Sequence, residues 1–169
     1  MVDNSSGFCY MDSPLGRIKI VASDNYLLEV EFVRGSASFP QNHVQTILSP
    51  VLEGCRQQLE AYFSGTLKEF DLPLRPVGTD FQQQVWQALQ EIPYGKTISY
   101  LTLSKRLGNV KAIRAVGRAN GQNPLAIIVP CHRVIGSDGS LTGYAGGLWR
   151  KKWLLQHEGA LLQKELFPD

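Results

Sequence analysis

The sequence predicts an α/β N-terminal domain followed by a mostly helical, winged-helix C-terminal domain, and three observations predict it. Apolar residues alternate with period two through the first third of the chain, the pattern of half-buried strands. A breaker cluster, Arg75-Pro76-Val77-Gly78, falls where the charge balance changes sign. Beyond it, two short helical segments joined by a glycine-containing turn precede a glycine-rich hairpin and a last helix, the order of a helix-turn-helix with a wing. At roughly 150 residues per domain, a chain of 169 residues holds one domain or two small ones. The breaker cluster divides it into 1–78 and 79–169.

Along the chain, Ile18, Ile20 and Ala22 alternate with Arg17, Lys19 and Val21, and Leu28, Val30 and Phe32 alternate with Leu27, Glu29 and Glu31. Ser23-Asp24-Asn25 supplies turn residues between these runs, which predicts an antiparallel hairpin, with Met11-Asp12-Ser13-Pro14 turning an earlier strand into it. Ser49 then offers an N-cap with Pro50 at the first helical position, and Leu52, Cys55, Leu59, Tyr62 and Phe63 keep to one face until Gly65. Cys55 is thereby a core cysteine. Residues 70–74, FDLPL, read as a strand. Thr79 with Gln82 forms a capping-box pattern ahead of Phe81, Val85, Ala88, Leu89 and Ile92, and Pro93 ends that helix. Ser99 caps a helix over 100–107, Gly108 ends it, and 110–120 forms its partner. An apolar, strand-like run over 127–129 and a closing helix over 148–158, stopped by Gly159, complete the reading.

Composition excludes several classes. Apolar residues at 43% and charged residues at 19% are ordinary for a globular chain and exclude collagenous, coiled-coil and disordered types. Cys9, Cys55 and Cys131 are odd in number and include no C-x-x-C pair, so neither a disulfide framework nor a cysteine-rich zinc module is encoded. No apolar run approaches the roughly 20 residues of a membrane span, and the polar start has no apolar targeting core. The expectation is a cytoplasmic protein with no membrane partner. The net charge of +2 conceals a split: six basic and nine acidic residues through Gly78, eleven basic and six acidic after it. Between Glu91 and Asp138 there is no acid, while Lys96, Lys105, Arg106, Lys111, Arg114, Arg118 and Arg133 are basic. On charge alone that stretch is either a polyanion-binding surface or a solvated face.

The segment from Asn123-Pro124 to Pro130-Cys131-His132-Arg133-Val134-Ile135 sets a thiol beside an imidazole at the end of an apolar run. Basic neighbours favour thiolate over thiol, and the thiolate is the nucleophile. On the residues alone Cys131 is open to three readings: an activated nucleophile, a small buried hydrophobe, or half of a metal site. The last has no zinc-like spacing to support it.

PCHRV, preceded by Asn123-Pro124 and followed by Tyr144-Ala145-Gly146-Gly147, resembles the signature of the O6-alkylguanine-DNA alkyltransferases. The likeness extends through IPYGKTISY, the segment from Lys111 to Gly117, and Lys152-Trp153-Leu154-Leu155 to Glu158. It is looser in the first half, at Asp12-Ser13-Pro14-Leu15-Gly16 and Tyr62-Phe63-Ser64-Gly65. The resemblance implies a ribonuclease H-like first domain and a suicide repair protein that flips O6-alkylguanine out of duplex DNA and takes the alkyl group irreversibly onto its own cysteine. O4-alkylthymine is a further candidate substrate. Cys131 stands at the acceptor position, with His132 and Glu158 completing the relay that deprotonates it. Read alone, Glu158 before Gly159 is a solvated acid.

The resemblance also implies that Arg114 enters the stack and that Tyr100 crowds the neighbouring phosphate and donates to the flipped base. The carbonyls of Cys131 and Val134 and the amide of Ala145 hold the guanine. Asn123 braces the turn before the cysteine, and Tyr144, Ala145 and Gly146 belong to the loop over the pocket. Ala145 departs from the serine of several members, but its backbone amide makes the contact. Lys111, Ala115, Gly117 and Arg118 share the recognition helix, which the family lays in the minor groove, where small residues permit close approach. No cofactor is implied, and Cys9, Cys55 and His43 do not reproduce the zinc ligands of some members. The implied partner is lesion-bearing duplex DNA, met by a monomer, with cooperative loading along DNA left open. Relatives that replace the cysteine bind lesions without reacting, and a winged-helix regulator is a third class; Cys131 itself argues against the former.

Overall fold

Alternating burial builds the first sheet. Strands β1 (Ser6–Met11), β2 (Ile18–Ser23) and β3 (Leu27–Phe32) pair antiparallel in that order. The computed structural model describes residues 6–34 and 49–161, and the chain divides into two compact units, Met1–Val77 and Gly78–Asp169. In the first, Ile18, Ile20 and Ala22 are buried as the alternation requires, with Cys9 and Met11 from β1. In β3 it is Leu27 rather than Leu28 that is buried alongside Val30. The register shifts at Val21/Ala22, where Ala22 pairs with Leu27 although Val21 pairs with Glu29. Leu28 is the extra residue of a bulge, which exchanges the faces beyond it.

Helix α1 (Pro50–Phe63) begins as expected, Ser49 Oγ accepting from Leu52 N–H at 3.2 Å. It buries Val51, Leu52, Cys55, Leu59 and Tyr62, each large apolar side chain contributing about 1.5–3 kcal/mol. The expected strand over 70–74 does not form. Leu74 makes a single parallel bridge to Leu27, flanked by Leu27 N–H donating to the Pro73 carbonyl at 2.7 Å and Arg75 N–H donating to the Leu27 carbonyl at 2.9 Å. Pro73 and Pro76 have no N–H with which to extend a ladder.

The second unit opens with α2 (Asp80–Leu89), whose capping box is complete: Gln82 N–H donates to Thr79 Oγ1 at 3.1 Å and Thr79 N–H to Gln82 Oε1 at 2.9 Å. Ser99 caps α3 (Tyr100–Arg106). A 3-10 turn (Val110–Ala112) then leads into α4 (Ile113–Gly121). Trp86 Nε1–H donates to the Ala119 carbonyl at 2.9 Å and ties α2 to α4. Short parallel strands β4 (Ile98–Ser99) and β5 (Val134–Ile135) bring the entrance of α3 beside the residues after Cys131. Residues 136–147 turn without forming a strand, closed by Gly136 N–H donating to the Ser140 carbonyl at 2.8 Å. They lead into α5 (Leu148–His157).

The run over 127–129 is apolar because it is buried, not because it is extended. Ile128 N–H donates to the Ala126 carbonyl at 2.8 Å around Ile127, whose φ is +71°, a γ-turn of the rare, strained kind. Cys131 N–H donates to the Val129 carbonyl at 2.8 Å around Pro130 (φ −82°, ψ 64°), the common inverse γ-turn. Asn123 supplies partners that a neighbouring strand would have supplied. Its Oδ1 accepts from Leu125 N–H at 2.9 Å, and its Nδ2 donates to the carbonyls of Val129 at 2.8 Å and Leu125 at 3.3 Å.

Candidate functional site

Those turns deliver Cys131–Arg133 as one buried 3-10 turn. Arg133 Nε donates to Glu158 Oε1 at 2.8 Å, Nη2 to Oε2 at 3.0 Å and Nη1 to the Ile92 carbonyl at 2.6 Å. His132 Nε2 lies 2.8 Å from Glu158 Oε2. Glu158, the C-cap of α5, is only 6% exposed, so the solvated-acid reading of the sequence does not hold. Burial pushes its carboxyl up, but the hydrogen bonds from His132 and Arg133 and the Arg133 charge outweigh burial and hold it well below the usual carboxylate range. Gly95 lets the backbone approach: its N–H lies 3.5 Å from Glu158 Oε1, its φ is +78°, and a Cβ there would meet the Glu158 carbonyl at 3.0 Å.

An ionised carboxylate only accepts hydrogen bonds. His132 Nε2 therefore carries the ring hydrogen and Nδ1 the free lone pair, an assignment that follows from the network. Burial holds His132 below its ordinary value despite Glu158, so the ring rests neutral, and Nδ1 has no partner among the described residues. A neutral imidazole, oriented by a carboxylate and with an open lone pair, is a general base.

The thiol itself departs from expectation. Burial raises Cys131, and the hydrogen bond of Asn123 and the charge of Lys151 only partly offset this. The free protein holds a thiol, not a thiolate. Nearby positive charge in the sequence does not reach the sulfur as expected, because Arg133 is committed to Glu158 and desolvation dominates.

Above this turn lie Tyr100 and the loop before α5. Tyr100 Oη donates to the Thr142 carbonyl at 2.8 Å. Lys151 Nζ donates to the carbonyls of Thr142 at 2.9 Å and Gly143 at 3.4 Å and to Tyr100 Oη at 3.4 Å. Burial brings Lys151 down to about 8. The Tyr144 phenol is pushed well above 10 by burial and by Cys131. Val134 is fully buried and Ala145 exposed, and the Gly146 carbonyl accepts from Arg150 Nη1 at 2.6 Å.

Helix α4 has two faces. Val116, Ala119 and Asn120 are buried, while Lys111 in the preceding turn, Arg114, Ala115 and Arg118 are exposed and Gly117 is half-buried. Arg133 belongs to the buried network rather than to this basic surface. The structure thus gathers Cys131, His132, Glu158, Asn123, Val134, Tyr100 and Tyr144 around one turn and leaves Lys111, Arg114 and Arg118 exposed on α4 and the turn before it.

Three residues join the cluster in roles the sequence did not assign them: Arg133, Lys151 and Asn120. Lys151 and Asn120 left a signal. Lys151 precedes Leu154, Leu155 and Glu158 by three, four and seven residues, and Asn120 shares the helical face of Val116 and Ala119. Arg133 left none, since its partner is 25 residues away. Among the described residues no group of three or more His, Cys, Asp or Glu side chains could hold a metal. Cys9 and Cys55 are buried free thiols in the first unit, and His43 lies outside the described residues.

A buried thiol, an oriented base and an adjoining helix with an exposed basic face define a cysteine-nucleophile protein with a surface for a polyanion. Comparison with known proteins makes the class specific. Residues 8–76 match the family model of the 6-O-methylguanine DNA methyltransferase ribonuclease-like domain, and residues 80–160 that of its DNA binding domain. A Methanosarcina acetivorans methylated-DNA–protein-cysteine methyltransferase is 48% identical over 155 residues, 90% of this chain and 98% of that protein. A Mycobacterium tuberculosis protein of the same description is 47% identical over 148 residues, 88% and 89% of the two chains. The crystal structure of Mycobacterium tuberculosis OGT in complex with DNA superposes with a TM-score of 0.80 at 45% identity, covering 94% of this chain and 96% of that one. The chain belongs to the 6-O-methylguanine DNA methyltransferase family, and its first unit is of the ribonuclease-like kind.

Proposed function

We propose that this protein repairs duplex DNA by direct reversal, as a methylated-DNA–protein-cysteine methyltransferase in which Cys131 accepts the alkyl group of O6-alkylguanine. The observation that carries the residue assignment is the open Nδ1 of a neutral His132 whose other nitrogen is held by ionised Glu158. The Cys131 S–H proton passes to Nδ1, the sulfur attacks the alkyl carbon, the carbon–O6 bond breaks, and the guanine leaves with the bonding electrons. Glu158, held in place by Arg133, stabilises the imidazolium. The thioether has no built-in route back, so each molecule acts once.

The target atom lies inside the stack, and rotating the nucleotide out costs a few kcal/mol. Arg114, exposed on α4, fills the gap, with Lys111 and Arg118 on phosphates and Ala115 and Gly117 admitting the helix to the minor groove. Tyr100 turns its hydroxyl from the Thr142 carbonyl to the base. The carbonyls of Cys131 and Val134 and the amide of Ala145 take the guanine edge, with Tyr144 and Gly146 closing the loop and Asn123 bracing the turn. The protein works as a monomer on cytoplasmic DNA.

The test is intact-mass spectrometry after incubation with a duplex carrying one O6-methylguanine, beside Cys131→Ala and an undamaged duplex. One methyl group on the Cys131 peptide, absent from both controls, is expected. Lesion binding without a mass change would replace this reading with a non-reacting lesion binder.

A further inference from the structure

Asn120 has no part in the reaction just described, yet its amide faces both walls of the site. Asparagine is a poor interior helix residue, and the buried face of α4 otherwise carries Val116 and Ala119. Asn120 is 2% exposed, and its Nδ2 donates to the Cys131 carbonyl at 3.3 Å. Because that carbonyl only accepts, the contact fixes which way the amide points. Its Oδ1 then has no partner among the described residues. A residue selected for packing alone would not leave a buried acceptor open, since an apolar side chain of similar volume avoids that penalty.

The same helical face meets Tyr100. One turn earlier, a Cβ on Gly117 would sit 3.7 Å from the Tyr100 ring. Asn120 faces the Tyr100 phenol closely enough to join the Thr142 contact in pulling it down against burial. Lys151 approaches the same phenolic oxygen at 3.4 Å. Donors directed at that oxygen leave its own proton to point elsewhere, toward the Thr142 carbonyl in the free protein and toward an incoming base.

We propose that Asn120 is a positioning residue for methyl transfer, its amide registering the Cys131 backbone and the Tyr100 hydroxyl to helix α4, so that seating the outer face of this helix on DNA aligns the thiol and the hydroxyl around the delivered base. The proposal rests on the reading of Cys131 as acceptor. Misplacement of reacting groups by a fraction of an ångström is enough to slow such a step.

The test compares Asn120→Leu, which keeps volume and removes the amide, and Asn120→Asp, which is isosteric but lacks the N–H donor, with wild type. Single-turnover transfer is followed against concentration of an O6-methylguanine duplex, separating half-saturation from the limiting rate. Half-saturation is expected to stay near wild type while the limiting rate falls about 10- to 100-fold in both variants. Asn120→Asp recovers part of that loss as pH falls from about 8 to about 6, because a buried carboxyl is raised into this range and, once protonated, again donates to the Cys131 carbonyl. Tyr100, Cys131, His132 and Lys151 titrate around the same amide, so the profile is read as a ratio to wild type. A purely structural residue gives no such recovery. A limiting rate within threefold of wild type in Asn120→Leu, or a pH-independent loss in Asn120→Asp, overturns the proposal while leaving Cys131 as acceptor. A wild-type protein that transfers no methyl overturns both.

Discussion

Replacing Glu158 with glutamine removes one charge and leaves the volume unchanged, and the structure sets the outcome. The carboxylate accepts three side-chain hydrogen bonds, two from Arg133 and one from His132, beside a longer one from Gly95 N–H. Glutamine offers one oxygen and one NH2 group, so a donor must face a donor. If the NH2 faces Arg133, a guanidinium that is 7% exposed loses half its partner, and breaking a buried pair from one side costs about 3–5 kcal/mol. At roughly 4–8 °C per kcal/mol for a unit of this size, melting falls by more than about 10 °C. If it faces His132, the imidazole changes tautomer: Nε2 accepts, Nδ1 carries the hydrogen, and the base is lost. The transfer rate then falls by about 10²- to 10⁴-fold. Calorimetry and quenched single-turnover transfer read the two effects separately. Glu158→Gln/Arg133→Met, which removes both charges, regains much of the melting temperature but none of the rate, since apolar replacement of a whole buried pair is close to neutral. Glu158→Gln transferring within threefold of wild type and melting within about 2 °C of it would refute the network's role.

Further outcomes follow from the same geometry. Lys151 is held at about 8 against an ordinary 10.5, so between these values the unfolded chain binds more protons than the folded one and stability rises with pH. Wild type is expected to gain about 3 kcal/mol over Lys151→Met across that window, measured by urea unfolding; a flat difference contradicts the burial of the ammonium. Cys131, raised by burial, reacts with iodoacetamide in the absence of DNA more slowly than free cysteine at neutral pH, followed by intact mass, and faster labelling would mean a resting thiolate. Asn123→Ala strands the Leu125 N–H, leaves the Val129 carbonyl with Cys131 N–H alone and destabilises the second unit by about 1–3 kcal/mol, seen in chemical unfolding. Arg114→Ala, at an exposed position, leaves melting unchanged but slows transfer. A change in melting comparable to that of Asn123→Ala would place Arg114 in the core.

Local rules written in adjacent residues were legible. Ser49-Pro50, the Thr79/Gln82 box and the Ser99 cap each specify a helix start by chemistry within three or four residues, and the structure shows all three. What failed depends on distant partners. Leu28 is a bulge because β2 and β3 meet with a register shift, which alternation in one strand cannot express. The run over 127–129 looked extended because buried turns and buried strands share a composition; the discriminating signals were Asn123 and Pro130 at its two ends. In the site, Pro130-Cys131-His132 pointed to the turn on which the buried thiol and imidazole lie, yet the charge state of the sulfur was misread. Counting basic neighbours credits Arg133 to Cys131, whereas the fold pairs it with Glu158 and then buries the thiol.

That burial bears on how a single-use acceptor survives until it is needed. A thiol held above its ordinary value is almost wholly protonated at neutral pH, and the protonated form reacts poorly with stray electrophiles. Nucleophilicity, however, rises with basicity, so the same desolvation makes the thiolate more reactive once it forms. For an unassisted thiol the loss in ionised fraction exceeds the gain in nucleophilicity. A base poised to take the proton during attack changes the balance, and in the proposed mechanism His132, neutral and held by Glu158, is that base. A raised thiol and an oriented base are therefore two halves of one arrangement: unreactive with stray electrophiles, and competent when a base flipped into the site places its alkyl carbon against the sulfur.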